Sequence, residues 1–197
     1  MIPTIVSFFT PAYADLAVLL VSDCDALGLR RDIKAVADRG SWALNCARKP
    51  TIIREALLAL GHVEPVVWVD ADARIRAAPT LLGDLGGCDF AVHRLRHSAR
   101  RVEMLSGTIY VSGSLASLAV LAEWERLCAA RITLETRWDQ REVWDQSLLE
   151  EALAAVSEAR VYELPASYCR IFDHAGQGNA PPIIEHCQAS RTRRHHG

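Results

Sequence analysis

The most constraining feature of this chain is a run of consecutive apolar residues, Val66–Val69, between Pro65 and Asp70. The run lacks the alternation of apolar and polar residues that marks a strand with one face in water. A short, continuous apolar run bounded by a proline and an acid is typical of a central strand buried on both faces. Such strands occur in parallel sheets covered by helices, so the run predicts an α/β fold.

Predicted strands and helices alternate along the rest of the chain. Apolar and β-branched patterns predict strands at residues 2–10, 32–37, 88–93, 108–111, 160–164 and 182–186. Helical spacing of apolar residues predicts helices at residues 16–28, 50–61, 114–130 and 142–156. This order predicts an open, mainly parallel sheet with helices on both faces.

Composition favours a single globular domain. The chain has 197 residues, 50% of them hydrophobic, so it can bury a core without disulfide or metal staples. The net charge of −2 excludes a global attraction to nucleic acid or to anionic membranes. We predict one domain over residues 1–190 and a flexible basic tail over residues 191–197.

Cysteine spacing and hydropathy predict the cellular compartment of the protein. The six cysteines form no Cys-x-x-Cys pair, so they predict free thiols in a reducing environment rather than a zinc site or a disulfide framework. No apolar run approaches the roughly 20 residues that a membrane-spanning helix needs. We therefore expect a cytoplasmic protein with no membrane partner.

Asp70 and Asp72 are the strongest local signal for chemistry. In an extended chain residues two apart point the same way, so both carboxylates can address one site at the end of the buried strand. Carboxylate oxygens facing a diphosphate suit Mg²⁺ or Mn²⁺. Asp23 and Asp25 have the same spacing but follow a helical leucine pattern, so we interpret them as a solvated helix end.

Further motifs in a fixed order accompany this acid pair. They are Trp42-Ala-Leu-Asn45 with Lys49-Pro50, Val66-Val-Trp-Val-Asp-Ala-Asp72, Ser106-Gly107-Thr108, Trp144-Asp145-Gln146, Leu164-Pro165 with Tyr168-Cys169, and Ile184-Glu185-His186-Cys187 with Gln188-Ala189-Ser190-Arg191. The set resembles the nucleotide-diphospho-sugar transferases of the GT-A fold over nearly the whole chain. The resemblance implies a single-domain, Rossmann-like GT-A fold and metal-dependent transfer of a hexosyl or pentosyl group to an acceptor hydroxyl.

The resemblance also implies a cofactor and a donor. It assigns Asp70, Asp72 and His186 to a Mn²⁺ or Mg²⁺ ion, although a histidine on an apolar strand is more often structural. The donor is a nucleoside-diphosphate-sugar, with a UDP-sugar favoured. The residues predicted to bind it are Phe8, Phe9, Thr10, Tyr13, Trp42, Lys49, Asp70, Ala71, Ser106, Gly107, Gln146, Ser190 and Arg191.

Some of these donor contacts have structural alternatives. Phe8 or Phe9 must pack in the core, because successive strand residues face opposite sides. Lys49 precedes a helix start, where it could meet phosphate, but an ordinary surface lysine fits the same pattern. Gly107 could admit the sugar, or it could serve only as a turn glycine.

Catalytic roles fall on Asp72, Lys49 and Asp145. Asp72, through the metal, and Lys49 would stabilise charge on the leaving diphosphate. Asp145 is the candidate general base or a partner of the sugar hydroxyls, and its alternative is an acid in the first turn of a helix. An inverting path needs such a base and a retaining path can use the leaving phosphate; the sequence leaves both open.

The acceptor is also open. A loop-like stretch after the strand at 88–93 carries Arg94, Arg96, Arg100 and Arg101. These arginines could receive DNA with a hydroxylated base, although a charge run is usually only a solvated face. A glycan or a protein acceptor fits equally well, and the sequence does not indicate an oligomeric state.

Two other functions compete with sugar transfer. A haloacid-dehalogenase-like phosphohydrolase also carries Asp-x-Asp after a strand, but it has Thr or Val where this chain has Arg74, and its motif lies on the first strand. A catalytically dead nucleotide-binding domain is the other alternative. The retained acid pair, with Lys49 and His186, counts against it.

Overall fold

The computed structural model describes residues 1–134, 144–189 and 191. The strands in these residues are β1 (Thr4–Phe9), β2 (Arg31–Ala35), β3 (Val66–Val69), β4 (Ala73–Ile75), β5 (Phe90–Ser98), β6 (Arg101–Val111), β7 (Val161–Glu163), β8 (Arg170–Ile171) and β9 (Ile184–His186). The helices are α1 (Ala14–Ala26), α2 (Trp42–Cys46), α3 (Lys49–Ala59), α4 (Leu115–Leu134) and α5 (Trp144–Ala155). Short 3-10 turns lie at Pro11–Tyr13, Thr80–Gly83, Ala166–Tyr168 and Ala175–Gln177.

The main sheet has six strands in the order β2-β1-β3-β6-β5-β7. β1 pairs in parallel with β2 and β3, and β5 pairs in parallel with β7. β6 runs antiparallel to both of its neighbours, β3 and β5. The other strands of this sheet therefore share one direction, which confirms the open, mainly parallel α/β architecture.

Separate hydrophobic cores cover the two faces of this sheet. Along β3, Val66 and Trp68 pack with residues of α3, α4 and α5, whereas Val67 and Val69 pack with residues of α1. None of these four side chains is more than 2% exposed. The predicted central strand, buried on both faces and covered by helices on each side, is confirmed.

A second sheet brings the C-terminal segment to the end of β3. Its order is β4-β9-β8, and β4 begins directly after the acid pair. β9 pairs antiparallel with β4, which places His186 opposite Ala73. His186 therefore lies beside Asp72, although the two residues are far apart in the sequence.

The arginine-rich stretch forms a hairpin, so its prediction as a loop is wrong. β5 continues through Arg94 and Arg96 to Ser98, Arg100 lies in the turn, and β6 begins at Arg101. The Ser98 hydroxyl accepts hydrogen bonds from the backbone N–H groups of Arg100 and Arg101, at 3.3 and 3.1 Å. Pairing between the two strands, which the charge-rich sequence conceals, extends both of them.

Asp23 is not the solvated residue that its sequence context predicts. Its carboxylate accepts hydrogen bonds from the Arg74 guanidinium at 2.7 and 2.8 Å and from the Ile75 N–H at 2.9 Å. Asp25 does face solvent, with a side chain that is 58% exposed and paired with Arg31. Asp23 therefore joins α1 to β4, the strand that follows the Asp70–Asp72 pair.

Other predicted boundaries differ from the observed ones by a few residues. The start of the helix predicted at 142–156, Ser190 and the tail beyond Arg191 lie outside the described residues. In the part of the chain that the structure describes, no helix is long and apolar enough to cross a bilayer.

Candidate active site

A cleft of about 260 Å³ opens where the carboxyl ends of β1 and β3 meet the beginnings of α3 and α5. This is the edge at which open α/β sheets bind ligands. Among the residues lining it are Phe8, Phe9, Thr10, Tyr13, Trp42, Lys49, Asp70, Ala71, Asp72, Ser106, Gly107, Asp145, Gln146, His186 and Arg191. The structure thus brings together all the residues assigned to donor, metal or catalysis except Ser190, which lies outside the described residues.

Asp70, Asp72 and His186 form a cluster suited to a divalent cation. Each offers one ligand atom, and these atoms lie within 4.8 Å of one another. Two carboxylates and an imidazole are a donor set that Mn²⁺ accepts well. The residues present therefore fit the metal that the sequence analysis expects.

The imidazole of His186 is held from two sides. Its Nε2 lies 2.9 Å from the hydroxyl oxygen of Thr108. On the other side it packs directly over Gly107, where an added Cβ would lie only 2.8 Å from Cε1 of the ring. Glycine at 107 therefore makes room for the imidazole, a role that the sequence did not suggest.

The members of this cluster shift one another's pKa. Burial lowers the pKa of His186, but Cys169 and the carboxylates of Asp70 and Asp72 raise it to about 9. Burial and Asp70 raise the pKa of Asp72, against the opposing effects of His186 and of the Ala189 N–H, which donates to Asp72 at 2.8 Å.

Asp70 is oriented by donors on its other side. Its Oδ1 accepts a hydrogen bond from Trp68 Nε1 at 2.8 Å and lies 3.1 Å from Lys49 Nζ. The ammonium of Lys49 also lies 5.4 Å from the centroid of the Trp68 ring. With Oδ1 engaged in this way, Oδ2 of Asp70 is left for a cation.

Lys49 is a buried cation, so the surface-lysine alternative is wrong. It is 3% exposed, and Nζ lies 2.9 Å from Oδ2 of Asp145 and 3.1 Å from the carbonyl and hydroxyl oxygens of Ser106. Burial lowers the pKa of Lys49, but Asp145 and Asp70 outweigh that effect and raise it. Lys49 therefore stays charged and links the acid pair to the start of α5.

Asp145 and Gln146 attach the start of α5 to β6. Asp145 is 2% exposed, and its Oδ2 accepts a hydrogen bond from the Ser106 hydroxyl at 2.9 Å in addition to the Lys49 contact. The side-chain oxygen of Gln146 accepts from the Ser106 N–H at 3.2 Å. Asp145 is thus a first-turn acid of α5 that also lines the cleft.

Aromatic residues line the end of the cleft near β1. Phe8 and Phe9 are both partly buried; the Phe8 ring packs 5.4 Å from that of Trp68 and lies below the Arg48 guanidinium at 5.8 Å. Phe8 therefore contacts the core while remaining open to the cleft. At the opposite end, Arg191 pairs with Asp173 at 2.6 Å.

Sequence reasoning missed His97 and Glu103, which are among the titratable residues of the cleft. Both line it, and His97 Nε2 lies 2.7 Å from Oε2 of Glu103. They fall in the stretch predicted as a loop, so nothing indicated which way they point. The period-two alternation of Leu95 with His97, and of Glu103 with Leu105, is the signal that would have found them.

Comparisons with known proteins place the fold. No protein-family model and no curated protein matches the chain. A glycosyltransferase involved in the glycosylation of the major capsid of PBCV-1 is 16% identical with a TM-score of 0.72, over 98% of this chain and 97% of that one. The galactosyltransferase LgtC is 13% identical with a TM-score of 0.56, over 93% and 86%. Mouse xyloside xylosyltransferase 1 is 12% identical with a TM-score of 0.53, over 96% and 99%. The chain has the GT-A fold of these enzymes.

Proposed function

We propose that the chain is a metal-dependent glycosyltransferase that moves a sugar from a nucleoside diphosphate to an acceptor hydroxyl. The observation that supports this best is the convergence of Asp70, Asp72 and His186 within 4.8 Å, in a cleft at the ligand-binding edge of a GT-A fold. A fold alone does not imply an activity, so the proposal rests on these side chains.

The acid pair and the histidine would hold Mn²⁺ or Mg²⁺. Bound there, the ion would neutralise charge on the departing nucleoside diphosphate. Arg191 and Ser190 are the proposed further contacts to the diphosphate. Arg191 would exchange its pairing with Asp173 for phosphate, and because both side chains are about half exposed, 51% and 43%, that exchange costs little.

The donor sugar would lie against the wall formed by Ser106, Gly107 and Gln146. Behind this wall, Asp145 and Lys49 form a buried ion pair that fixes the position of Ser106. We propose that Asp145 hydrogen-bonds a sugar hydroxyl and that the contact with Lys49 orients its carboxylate. The positive field of Lys49 would also favour the charge that develops on the leaving group.

The nucleobase would lie at the aromatic end of the cleft. Phe8, Phe9, Tyr13 and Trp42 present ring faces on which a base can stack, and Thr10 offers polar groups beside them. A uridine nucleotide is the donor that we favour. Ala71, between the two aspartates, is small enough to let the nucleotide approach the backbone.

For the acceptor, the basic hairpin supports a narrower hypothesis. Arg96, Arg100 and Arg101 lie exposed near its turn, with Arg94 partly exposed. They could hold duplex DNA that carries a hydroxylated base. Binding of such DNA that weakens steeply with salt would support this acceptor, and no binding at low salt would exclude it in favour of a glycan or a protein.

The activity is tested with a panel of nucleoside-diphosphate-sugars and Mn²⁺, scored by release of the nucleoside diphosphate. We expect release by the wild type that chelation of the metal abolishes. Asp72→Asn and His186→Ala should remove it while the circular dichroism spectrum stays unchanged. Normal turnover by both variants would show that the site is misassigned.

The same assay separates the competing functions. Release of inorganic phosphate from phosphomonoesters, instead of nucleoside diphosphate, would favour the haloacid-dehalogenase-like phosphohydrolase. Nucleotide binding without any turnover would favour a catalytically dead domain. Lys49 is buried and pairs with both Asp70 and Asp145, and this arrangement leads us to expect neither outcome.

A further inference from the structure

The β5–β6 hairpin extends well beyond the main sheet. β3 pairs with β6 only over Thr108–Val111, and β7 pairs with β5 only over Phe90–Val92. Residues 93–98 and 101–105 therefore form a two-stranded segment, which we call the ribbon. Its inner face is anchored by Leu95 and Leu105, which pack with Cys169 and Ile171 and are 3% and 6% exposed.

His97 and Glu103 lie on that same inner face. Glu103 pairs with Leu95 across the strands, so these two side chains lie on one face. The pairing shifts register between Arg96 and Ser98, and the contact of His97 with Glu103 at 2.7 Å places His97 on the same face. All three residues line the cleft that holds the Asp70–Asp72 pair. The ribbon therefore carries an imidazole and a carboxylate to the wall of the proposed donor site.

Glu103 is fixed at both of its oxygens. Oε2 lies 2.7 Å from His97 Nε2, and Oε1 accepts a hydrogen bond from Gln146 Nε2 at 3.0 Å. The oxygen of the same Gln146 amide accepts from the Ser106 N–H at 3.2 Å. These contacts link His97 to Ser106, the residue that touches both Lys49 and Asp145.

Glu103 pairs with His97 and not with a surface arginine or lysine among the described residues. The ribbon carries several arginines, but Arg96 is directed to Glu163, at 3.6 Å, on the side of β7. Within the described part of the chain, no arginine or lysine forms an ion pair with Glu103. A carboxylate that accepts from Nε2–H holds the imidazole in the tautomer whose Nδ1 is basic.

The basic nitrogen is open to a ligand. The side chains of His97 and Glu103 are 27% and 37% exposed. Among the residues that the structure describes, Nδ1 of His97 has no hydrogen-bond partner, and the ring centroids of His97 and His174 are 5.8 Å apart. Asp145, by contrast, is 2% exposed and already contacts Lys49 and Ser106. His97 is therefore more accessible than Asp145 to a hydroxyl that enters from solvent.

We propose that His97, held by Glu103, is the general base that binds the acceptor hydroxyl of the sugar transfer proposed above. The hydroxyl proton moves to Nδ1 of His97, and the oxygen forms a bond to the anomeric carbon of the donor. The bond from that carbon to the phosphate oxygen breaks, and its electron pair leaves with the nucleoside diphosphate. Because a base acts on the incoming hydroxyl opposite the leaving group, the transfer inverts the anomeric configuration.

Water is the acceptor used to test this inference, so no natural acceptor is needed. UDP release from UDP-glucose, UDP-galactose and UDP-xylose with Mn²⁺ is measured across pH for the wild type, His97→Gln and Glu103→Gln. UDP affinity with Mn²⁺ is measured by calorimetry for the same proteins. Glu163→Gln removes a carboxylate that contacts the outside of the ribbon and is the matched control.

We expect His97→Gln to lower kcat by about 100-fold or more with unchanged UDP affinity, and to change the pH dependence of the rate. Glu103→Gln should lower kcat less, and Glu163→Gln should match the wild type. Wild-type turnover and pH profile in His97→Gln would overturn the inference, as would a product of retained configuration. A wild type that binds UDP but hydrolyses no donor would also overturn it. A wild type that fails to bind UDP contradicts the proposed function itself.

Discussion

At the scale of single residues, the buried charge of Lys49 organises the site. Nζ of Lys49 contacts carboxylates on two different elements, Asp70 after β3 and Asp145 at the start of α5, at 3.1 and 2.9 Å. A buried ion pair contributes little net stability when both partners are present, but removing one partner leaves an uncompensated charge in the interior. The stability of the domain should therefore be sensitive to this lysine.

We expect Lys49→Met to lower the free energy of unfolding by about 3 kcal/mol, because it strands the carboxylate of Asp145. Chemical denaturation measures the change. Lys34→Met is the control, since Lys34 pairs with Asp32 through side chains that are 39% and 35% exposed. This substitution should lower the free energy of unfolding by less than about 0.5 kcal/mol. Adding Asp145→Asn to Lys49→Met should recover part of the loss; equal effects at Lys49 and Lys34 would contradict the account.

Gly107 offers a test of the proposed metal cluster that leaves the proposed ligands unsubstituted. A Cβ at this position would lie 2.8 and 2.9 Å from Cε1 and Nδ1 of His186, so Gly107→Ala must displace the imidazole. We expect Mn²⁺ affinity, measured by calorimetry, to fall by about tenfold or more. Gly86→Ala, whose added Cβ meets nothing within 4 Å, is the matched control. Unchanged Mn²⁺ affinity in Gly107→Ala would mean that His186 is not a ligand.

The sequence could identify Asp70 and Asp72, because a buried strand that ends in a carboxylate pair is a local pattern. It could not place Lys49 beside Asp145, since that contact depends on how α3 and α5 pack. Nor could the sequence predict that Asp23 is an internal hydrogen-bond acceptor and not a solvated acid, because its partner Arg74 lies on β4. Local patterns predict which residues belong to the site, and tertiary packing decides their partners.

At the scale of elements, Asp23 joins α1 to the second sheet, although the spacing of Asp23 and Asp25 is the same as that of Asp70 and Asp72. Asp23 accepts hydrogen bonds from Arg74 and from the Ile75 N–H on β4, whereas Asp25 pairs with Arg31 at the surface. The two aspartates share a helix, so their contributions can be compared directly.

We expect Asp23→Ala to lower the free energy of unfolding by about 2 kcal/mol, since it leaves the Arg74 guanidinium and a backbone N–H without their acceptor. Asp25→Ala should leave it nearly unchanged, because its side chain is 58% exposed. Thermal or urea denaturation of the two variants gives the comparison. A larger effect at Asp25 than at Asp23 would contradict the role assigned to β4.

The types of the elements were largely predictable from the sequence. The exception is the ribbon, and the reason is physical. The run Val66–Val69 and the helical spacing after Pro50 carry their own periodicity, so β3 and α3 follow from local pattern. The ribbon does not, because Arg94, Arg96 and Arg101 resemble a solvated loop. Its strands are stabilised by pairing with each other and by Leu95 and Leu105 packing against a distant segment.

At the scale of the whole molecule, the topology collects distant segments at one edge of the sheet. β1 contributes aromatic residues, β3 the acid pair, the ribbon His97 and Glu103, and β9 the histidine of the metal cluster. Pairing of β9 with β4 is the step that completes the cluster, because it joins the C-terminal part of the chain to the centre. The match to GT-A glycosyltransferases over 98% of the chain follows from this arrangement.

The central claim is that this cleft binds a nucleoside diphosphate through a divalent cation held by Asp70, Asp72 and His186. Calorimetric titration of UDP with and without Mn²⁺ tests it most directly. We expect Mn²⁺ to raise UDP affinity by about tenfold or more in the wild type. The gain should vanish in Asp72→Asn and persist in Asp84→Asn, a control at an exposed aspartate. UDP affinity that is independent of Mn²⁺, or a full gain retained in Asp72→Asn, would contradict the account.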